Sequence, residues 1–239
     1  NCQVYGGISS ETESTDRAVA ETKGLVALYK GRLVNTLFSS SNGGYVEAAE
    51  NVWGGKEDYL KTFKDEYEKT DEIKGAVWTV ELSAEEIKAV LAGNGVDIGD
   101  ILNMEVVSTS ESGRVLEVKI TGTNGTKSYT KSYARTFLGL KSQLYTITAP
   151  KSSSVYALGA NGQTKVSGKY YVLTAEGIDT RTIESGKDKY IISGRGYGHG
   201  VGMSQWGARY MSEQGFTFEE IIKYYFKGVE IDSYTKATL

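Results

Sequence analysis

His199 is the only histidine of the 239-residue chain. It stands in the run Arg195-Gly-Tyr-Gly-His-Gly-Val-Gly202, with glycine at 194, 196, 198, 200 and 202. An imidazole titrates near neutrality, so it can pass a proton or donate to a substrate hydroxyl. Alternate glycines are unfavourable inside a strand or a helix and need a reason. Two readings compete. A glycine-rich turn that enters a helix offers free N–H groups to an anion, but this run is neither GxxxxGK[ST] nor a GxGxxG within a βαβ unit. Alternatively, the glycines let the backbone pass close to a strand or a ligand, and send Arg195, Tyr197 and His199 to alternate positions. The plain version of that second reading is a tight core crossing with the imidazole hydrogen-bonded inside.

Two carboxylates, Glu47 and Glu50, sit three apart in the polar, glycine-bearing stretch SSSNGGYVEAAENVWGG (39–55). A carboxyl raised by burial can give and then retrieve a proton. The competing role is to accept backbone N–H groups and hold the loop in shape. Trp53 and Trp206 are either stacking surfaces or core.

The elements that must position these groups are legible in outline. Residues 13–23 read as a short helix capped by Ser14 or Thr15, with Ala18, Val19 and Thr22 inward and Gly24 as its stop. Two strands follow around Lys30-Gly31, with Leu25, Ala27 and Tyr29 on one face. A strand at 77–82 runs into a helix with a Ser83/Glu86 capping box and a stop at Gly93. Strands then turn at Ser112-Gly113 and Asn124-Gly125. Together 76–149 reads as a β-α-β-β segment inserted between 1–75 and 150–239. Short strands after Pro150 suggest a meander. Met203, Trp206 and Tyr210 have helical spacing, and a last helix starts at Thr217. The fold class expected is α+β: a mostly antiparallel, barrel-like sheet, a few helices and the inserted subdomain.

Composition sets limits. Net charge is −3, and the lysines are interleaved with acids, so no basic stripe for nucleic acid is present. No run approaches the roughly 18 apolar residues of a membrane span. The chain has one cysteine, Cys2, so an internal disulfide is excluded. Tyrosine makes up 17 residues, which suits either strands or surfaces that stack on sugar rings.

The segment GRGYGHGVGMSQWGARYMSEQGFTFEEIIKYYFKGVEI resembles the terminal signature of the stage II sporulation protein D family, which includes amidase enhancers of bacterial cell walls. NCQVYGG, FSSSNGGYVEAAENVWGGKEDYL and RTFLGLKSQLYTI resemble three further family segments, in the same order. The resemblance implies an exported, extracytoplasmic bacterial protein acting on peptidoglycan glycan strands, and a wall amidase as a further partner. It implies lytic transglycosylase chemistry in the complete protein, with a membrane anchor only if one is encoded upstream. The family's catalytic glutamate lies upstream of the CQVYGG motif, outside these residues. His199 and Glu47 are therefore expected as the groups of this chain nearest the chemistry, with Gln3, Tyr5, Ser41, Arg195, Tyr197 and Gln205 touching glycan. Some relatives resemble zinc proteins at this point, but here Asn1 stands where a histidine can occur. No metal and no cofactor are expected.

Overall fold

The computed structural model describes residues 6–150, 156–159, 162–166, 168–175, 177–183 and 189–237. The architecture is α+β, with helices interspersed among antiparallel strand pairs. The barrel-like closure expected from the strand count does not occur: the strands form small sheets of two or three. The reason lies in their brevity, since several span only two residues, such as Arg32–Leu33, Phe38–Ser39 and Tyr45–Val46.

The sheet that matters for the glycine run has Tyr190–Arg195 at its centre. It pairs antiparallel with Tyr145–Thr148 on one side and Val77–Leu82 on the other. Gly194 lies opposite both Tyr145 and Trp78. A Cβ at Gly194 would come within 2.2 Å of the Trp78 ring, so this glycine is required by the indole that covers it. The Trp78 Nε1–H then donates to the Gly196 carbonyl at 3.0 Å and pins the chain as it leaves the strand.

Local sequence logic succeeds at most helix starts. Ser83 and Glu86 form the capping box of Ala84–Gly93, and Thr217 and Glu220 that of Phe218–Tyr225. The first helix, Glu13–Glu21, is instead capped by Thr12 with Thr15 as the box partner. It buries no residue, and Val19 is 71% exposed, so the inward face expected from Ala18, Val19 and Thr22 is not used. Met203 belongs to a two-residue strand and not to the helix that follows; Ser204 caps Gln205–Glu213, which turns Gly207 and Met211 inward. After Pro150 the strands form two separate hairpins, Tyr156–Gly159 with Gly162–Lys165 and Gly168–Thr174 with Gly177–Ile183, in place of a meander. No helix among the described residues is long and apolar enough to cross a membrane.

Two apolar clusters divide the interior. One gathers Trp78, Ile87, Leu91, Met104, Val118 and Ile120 with Tyr145 and Ile192. The other gathers Val46, Val52, Leu60, Val201, Met211 and Tyr225. Buried polar side chains accompany them: Ser41, Asn42, Glu47, Asp65, Glu68, Ser112, Arg114 and Ser204. Arg114 is 0% exposed. Its guanidinium donates to the carbonyls of Tyr45 (2.8 Å) and Asn42 (2.5 Å), and Glu47 and Glu68 act on it as counter-charges. Burial lowers its pKa to about 10, against the pull of the two carboxylates, so it stays cationic at neutral pH. Glu68 accepts from Ser41 Oγ at 2.6 Å, the amides of Asn42 and Gly43 at 2.8 and 3.0 Å, Thr70, and Ser204. Asp65 accepts from the Asn42 side chain and from the Tyr225 hydroxyl.

Removing one member of a buried charge set leaves the others unpaired in low dielectric, at a cost of about 3–5 kcal/mol. Arg114→Met is therefore expected to lower the urea midpoint of unfolding by that equivalent, with the slope of the transition unchanged.

Candidate functional site

The glycine run is tied to its surroundings at nearly every second residue. Gly196 N–H donates to Ala76 O at 2.7 Å, and Tyr197 exchanges two backbone hydrogen bonds with Ser41, at 2.9 and 3.1 Å. Gly198 N–H donates to Lys141 O at 2.8 Å, and the Gly200 carbonyl accepts from Glu47 N–H at 2.8 Å. Gly200 has φ 75°, and a Cβ there would lie 2.1 Å from Nη2 of Arg114. The buried guanidinium thus packs flat beneath the loop, where only hydrogen fits. The loop is a fixed shelf, not a flexible tether.

His199 sits half-buried on that shelf. Its Nδ1 accepts the Val201 N–H at 3.0 Å, two residues on in the same loop. Its ring centroid lies 5.0 Å from that of Trp53, at an interplanar angle of 60°. Burial first, then the Arg135 guanidinium, lower the imidazole pKa to about 4. A hydrogen bond to the Phe38 carbonyl opposes them, and Arg114 adds a further cationic push. The ring is neutral at physiological pH, with one nitrogen occupied by its own loop. Trp53 packs against it, and Trp53 and Tyr197 are 49% and 55% exposed. The far side of Tyr197 opens on a cavity of about 190 Å³, shared with Ser40, Ser41, Trp206 and the turn at 73–76. Trp206 is half-buried, and the Arg209 guanidinium lies 5.1 Å from its ring centre.

Glu47 is 0% exposed, beneath the shelf. Burial by itself would raise its carboxyl, but hydrogen bonds from Ser110, Ser112, Asn51 and Thr62 outweigh that and hold it below the usual carboxylate range. Its Oε1 also accepts Ala48 N–H at 2.8 Å. A saturated, ionised carboxylate holds a loop well and gives up no proton. Glu50 is half-buried, and its Oε2 has no hydrogen-bond partner among the described residues.

The expected polar contacts divide accordingly. Tyr197 is exposed, two residues before His199 in the loop. Ser41 is buried, and its hydroxyl points to Glu68. Arg195 is committed to a two-pronged pair with Asp71, at 3.0 and 3.2 Å. Gln205 is exposed in the first turn of its helix. Gln3 and Tyr5 lie outside the described residues, as does Cys2. Among the described residues no three His, Cys, Asp or Glu side chains gather as a metal ion would require.

Sequence reasoning gave no site role to Arg135, although it heads the RTFLGLKSQLYTI segment. It lies in the short helix Tyr133–Thr136. Its Nη1 donates to Lys141 O at 3.3 Å, the same carbonyl that receives Gly198 N–H. Arg114, Asp65 and Glu68 were missed as well, because nothing local distinguishes a buried ion from a surface one.

Comparison with known proteins gives one family match and several relatives. Residues 76–165 match the family model of a domain of unknown function (DUF8618). The chain is 32% identical to a Bacillus subtilis protein named amidase enhancer, over 97% of its own length and 34% of that protein. It is 29% identical to an uncharacterized protein of Brachyspira hyodysenteriae, over 98% of its own length and 53% of the relative. It is 28% identical to stage II sporulation protein D of Bacillus subtilis, over 94% and 53% respectively. The chain thus spans about a third to about half the length of the curated relatives it matches. These relatives support placing it in the stage II sporulation protein D/amidase-enhancer family.

Proposed function

We propose that this chain forms one wall of a saccharide groove and binds peptidoglycan glycan strands in the cell envelope, as part of a protein that cleaves them to 1,6-anhydro-MurNAc ends. The supporting observation is the aromatic face around His199: Trp53 and the imidazole 5.0 Å apart, with Tyr197 exposed beside them. Rings with one apolar face and a polar edge suit pyranose rings, whose C–H faces stack while their hydroxyls hydrogen-bond. The shelf beneath is rigid and polar, so the face is preorganised and binding costs little ordering.

In the cleavage step, a carboxylic acid protonates the glycosidic oxygen. The C1–O bond breaks, the sugar's own 6-hydroxyl oxygen bonds to C1, and the hydroxyl proton passes to the carboxylate. One carboxyl serves as acid and then base, whereas hydrolysis wants two flanking carboxylates. The acid is assigned to a part of the protein beyond the described residues. Glu47 is a positioning residue that fixes the shelf. The neutral imidazole fills the groove wall and orients what lies on it.

A second reading is a non-catalytic wall-binding enhancer of an amidase. Two observations favour it: the name of the Bacillus subtilis relative, and the fact that the charges acting on His199 are those of Arg135 and Arg114, both cationic.

Digestion of purified glycan by the complete protein, read by mass spectrometry, separates the two. Anhydro ends are expected, and strand binding without them selects the enhancer. His199→Ala is expected to lower cleavage about tenfold or more with the fold retained. Trp53→Ala should weaken strand binding by about tenfold while leaving the melting temperature nearly unchanged, because the indole is half exposed. Folding stability should also report the imidazole. Its folded pKa of about 4 lies below the ordinary 6.5, so the unfolded chain takes up the proton first. The His199 contribution is present above about pH 6.5 and declines by up to roughly 3 kcal/mol as pH falls to about 4. In His199→Gln that component of the pH dependence is expected to vanish, as measured by urea titrations across the range.

A further inference from the structure

Among the described residues Arg135 is a half-buried guanidinium without a carboxylate partner, and burial lowers its pKa. Its Nη1 donates to the Lys141 carbonyl at a long 3.3 Å. Arginine carries five donors in a planar fork that matches a carboxylate, so most of this fork is left to be satisfied. Its position is not incidental. Ser132 N–H donates to Val52 O at 3.1 Å and fixes the helix to the residue before Trp53, while Leu140 N–H donates to Arg135 O at 3.1 Å and closes the other end. The guanidinium shares the Lys141 carbonyl with the N–H of Gly198, the residue between Tyr197 and His199, in a chain whose net charge is −3. Lys131 adds a second positive group: its Nζ lies against Gly54, where a Cβ would be 2.7 Å away. The buried cation Arg114 is compensated by Glu47 and Glu68; Arg135, on the open side of the same loop, is not.

We propose that Arg135 is the acid-reading residue of the groove, taking the carboxylate of an acidic sugar, such as the lactyl ether carboxylate of muramic acid, while the neighbouring rings hold the pyranose. This rests on the saccharide reading above and adds a specificity determinant to it. A neutral His199 beside the fork removes a competing cation and leaves the carboxylate one directed partner. The phosphodiester of a wall polyanion has related chemistry and is distinguished by experiment.

The test compares binding of the chain to purified glycan strands with binding to the same strands after chemical reduction of their carboxylates to alcohols, by titration calorimetry. Wild type is expected to bind the acidic strands about tenfold or more tightly than the reduced ones, as loss of a charge-assisted pair implies. Arg135→Gln, checked for an unchanged circular dichroism spectrum and melting temperature, should bind both as wild type binds the reduced strands. Arg135→Lys should restore part of the difference. Equal binding of the two strands by wild type would overturn the carboxylate assignment and leave the saccharide reading standing. Binding to neither would remove both. Polyglycerol phosphate forms the last arm: if Arg135→Gln loses affinity for it alone, the fork reads phosphate and the proposal fails.

Discussion

A single buried cation organises this molecule. The Arg114 guanidinium lies under the glycine run with no exposed surface, bonded to the carbonyls of Asn42 and Tyr45, and Glu47 and Glu68 supply its counter-charge. These partners come from two stretches of the chain, both remote in sequence from Arg114. Arg114 follows the turn at Ser112-Gly113, Asn42 and Glu47 belong to the Ser-Asn-Gly-Gly loop, and Glu68 reaches on to Ser204 at the start of a helix. A buried ion set is weak evidence for net stability, because desolvation offsets most of the attraction. What it does supply is geometry. Carbonyls must face the guanidinium, glycine must sit over it, and the loop that results has one shape.

That constraint explains the division of labour among the carboxylates. Glu47 and Glu68 are spent on holding backbone and hydroxyl groups, and their lone pairs are filled by short polar contacts. The face above them is left to rings and cations: Trp53, His199, Tyr197 and Arg135. A groove of that composition recognises more readily than it reacts. It fits a wall component that works with an acid, or with an enzyme, supplied from elsewhere.

How far the sequence disclosed this depends on the range of the interaction involved. The capping box at Ser83, the helix start at Thr217 and the hairpin at Asn124-Gly125 are local, and they occur where they were expected. The first helix has a helical pattern but no partner, so its apolar side chains stay in solvent. The glycines around His199 signalled close backbone approach, yet the objects approached, the Trp78 ring at Gly194 and the Arg114 fork at Gly200, lie far away in sequence. For the same reason Glu47 could be read from sequence as an acid or, with better warrant, as a brace. Only the placement of Ser110 and Ser112 beside it, more than sixty residues on, decides its environment.

The central strand Tyr190–Arg195 has a consequence for how the chain acquires this shape. Its two neighbours, Val77–Leu82 and Tyr145–Thr148, are made long before it, and the Trp78–Gly196 hydrogen bond spans 118 residues. Both neighbours pair with this strand and not with each other, so the sheet cannot form until it is laid between them. Contacts of such separation reward the chain only after a large loop has closed, which makes them slow to form. The glycine loop that carries His199 is therefore assembled late, from the C-terminal third, and a nascent chain that lacks those residues presents two unpaired strand edges.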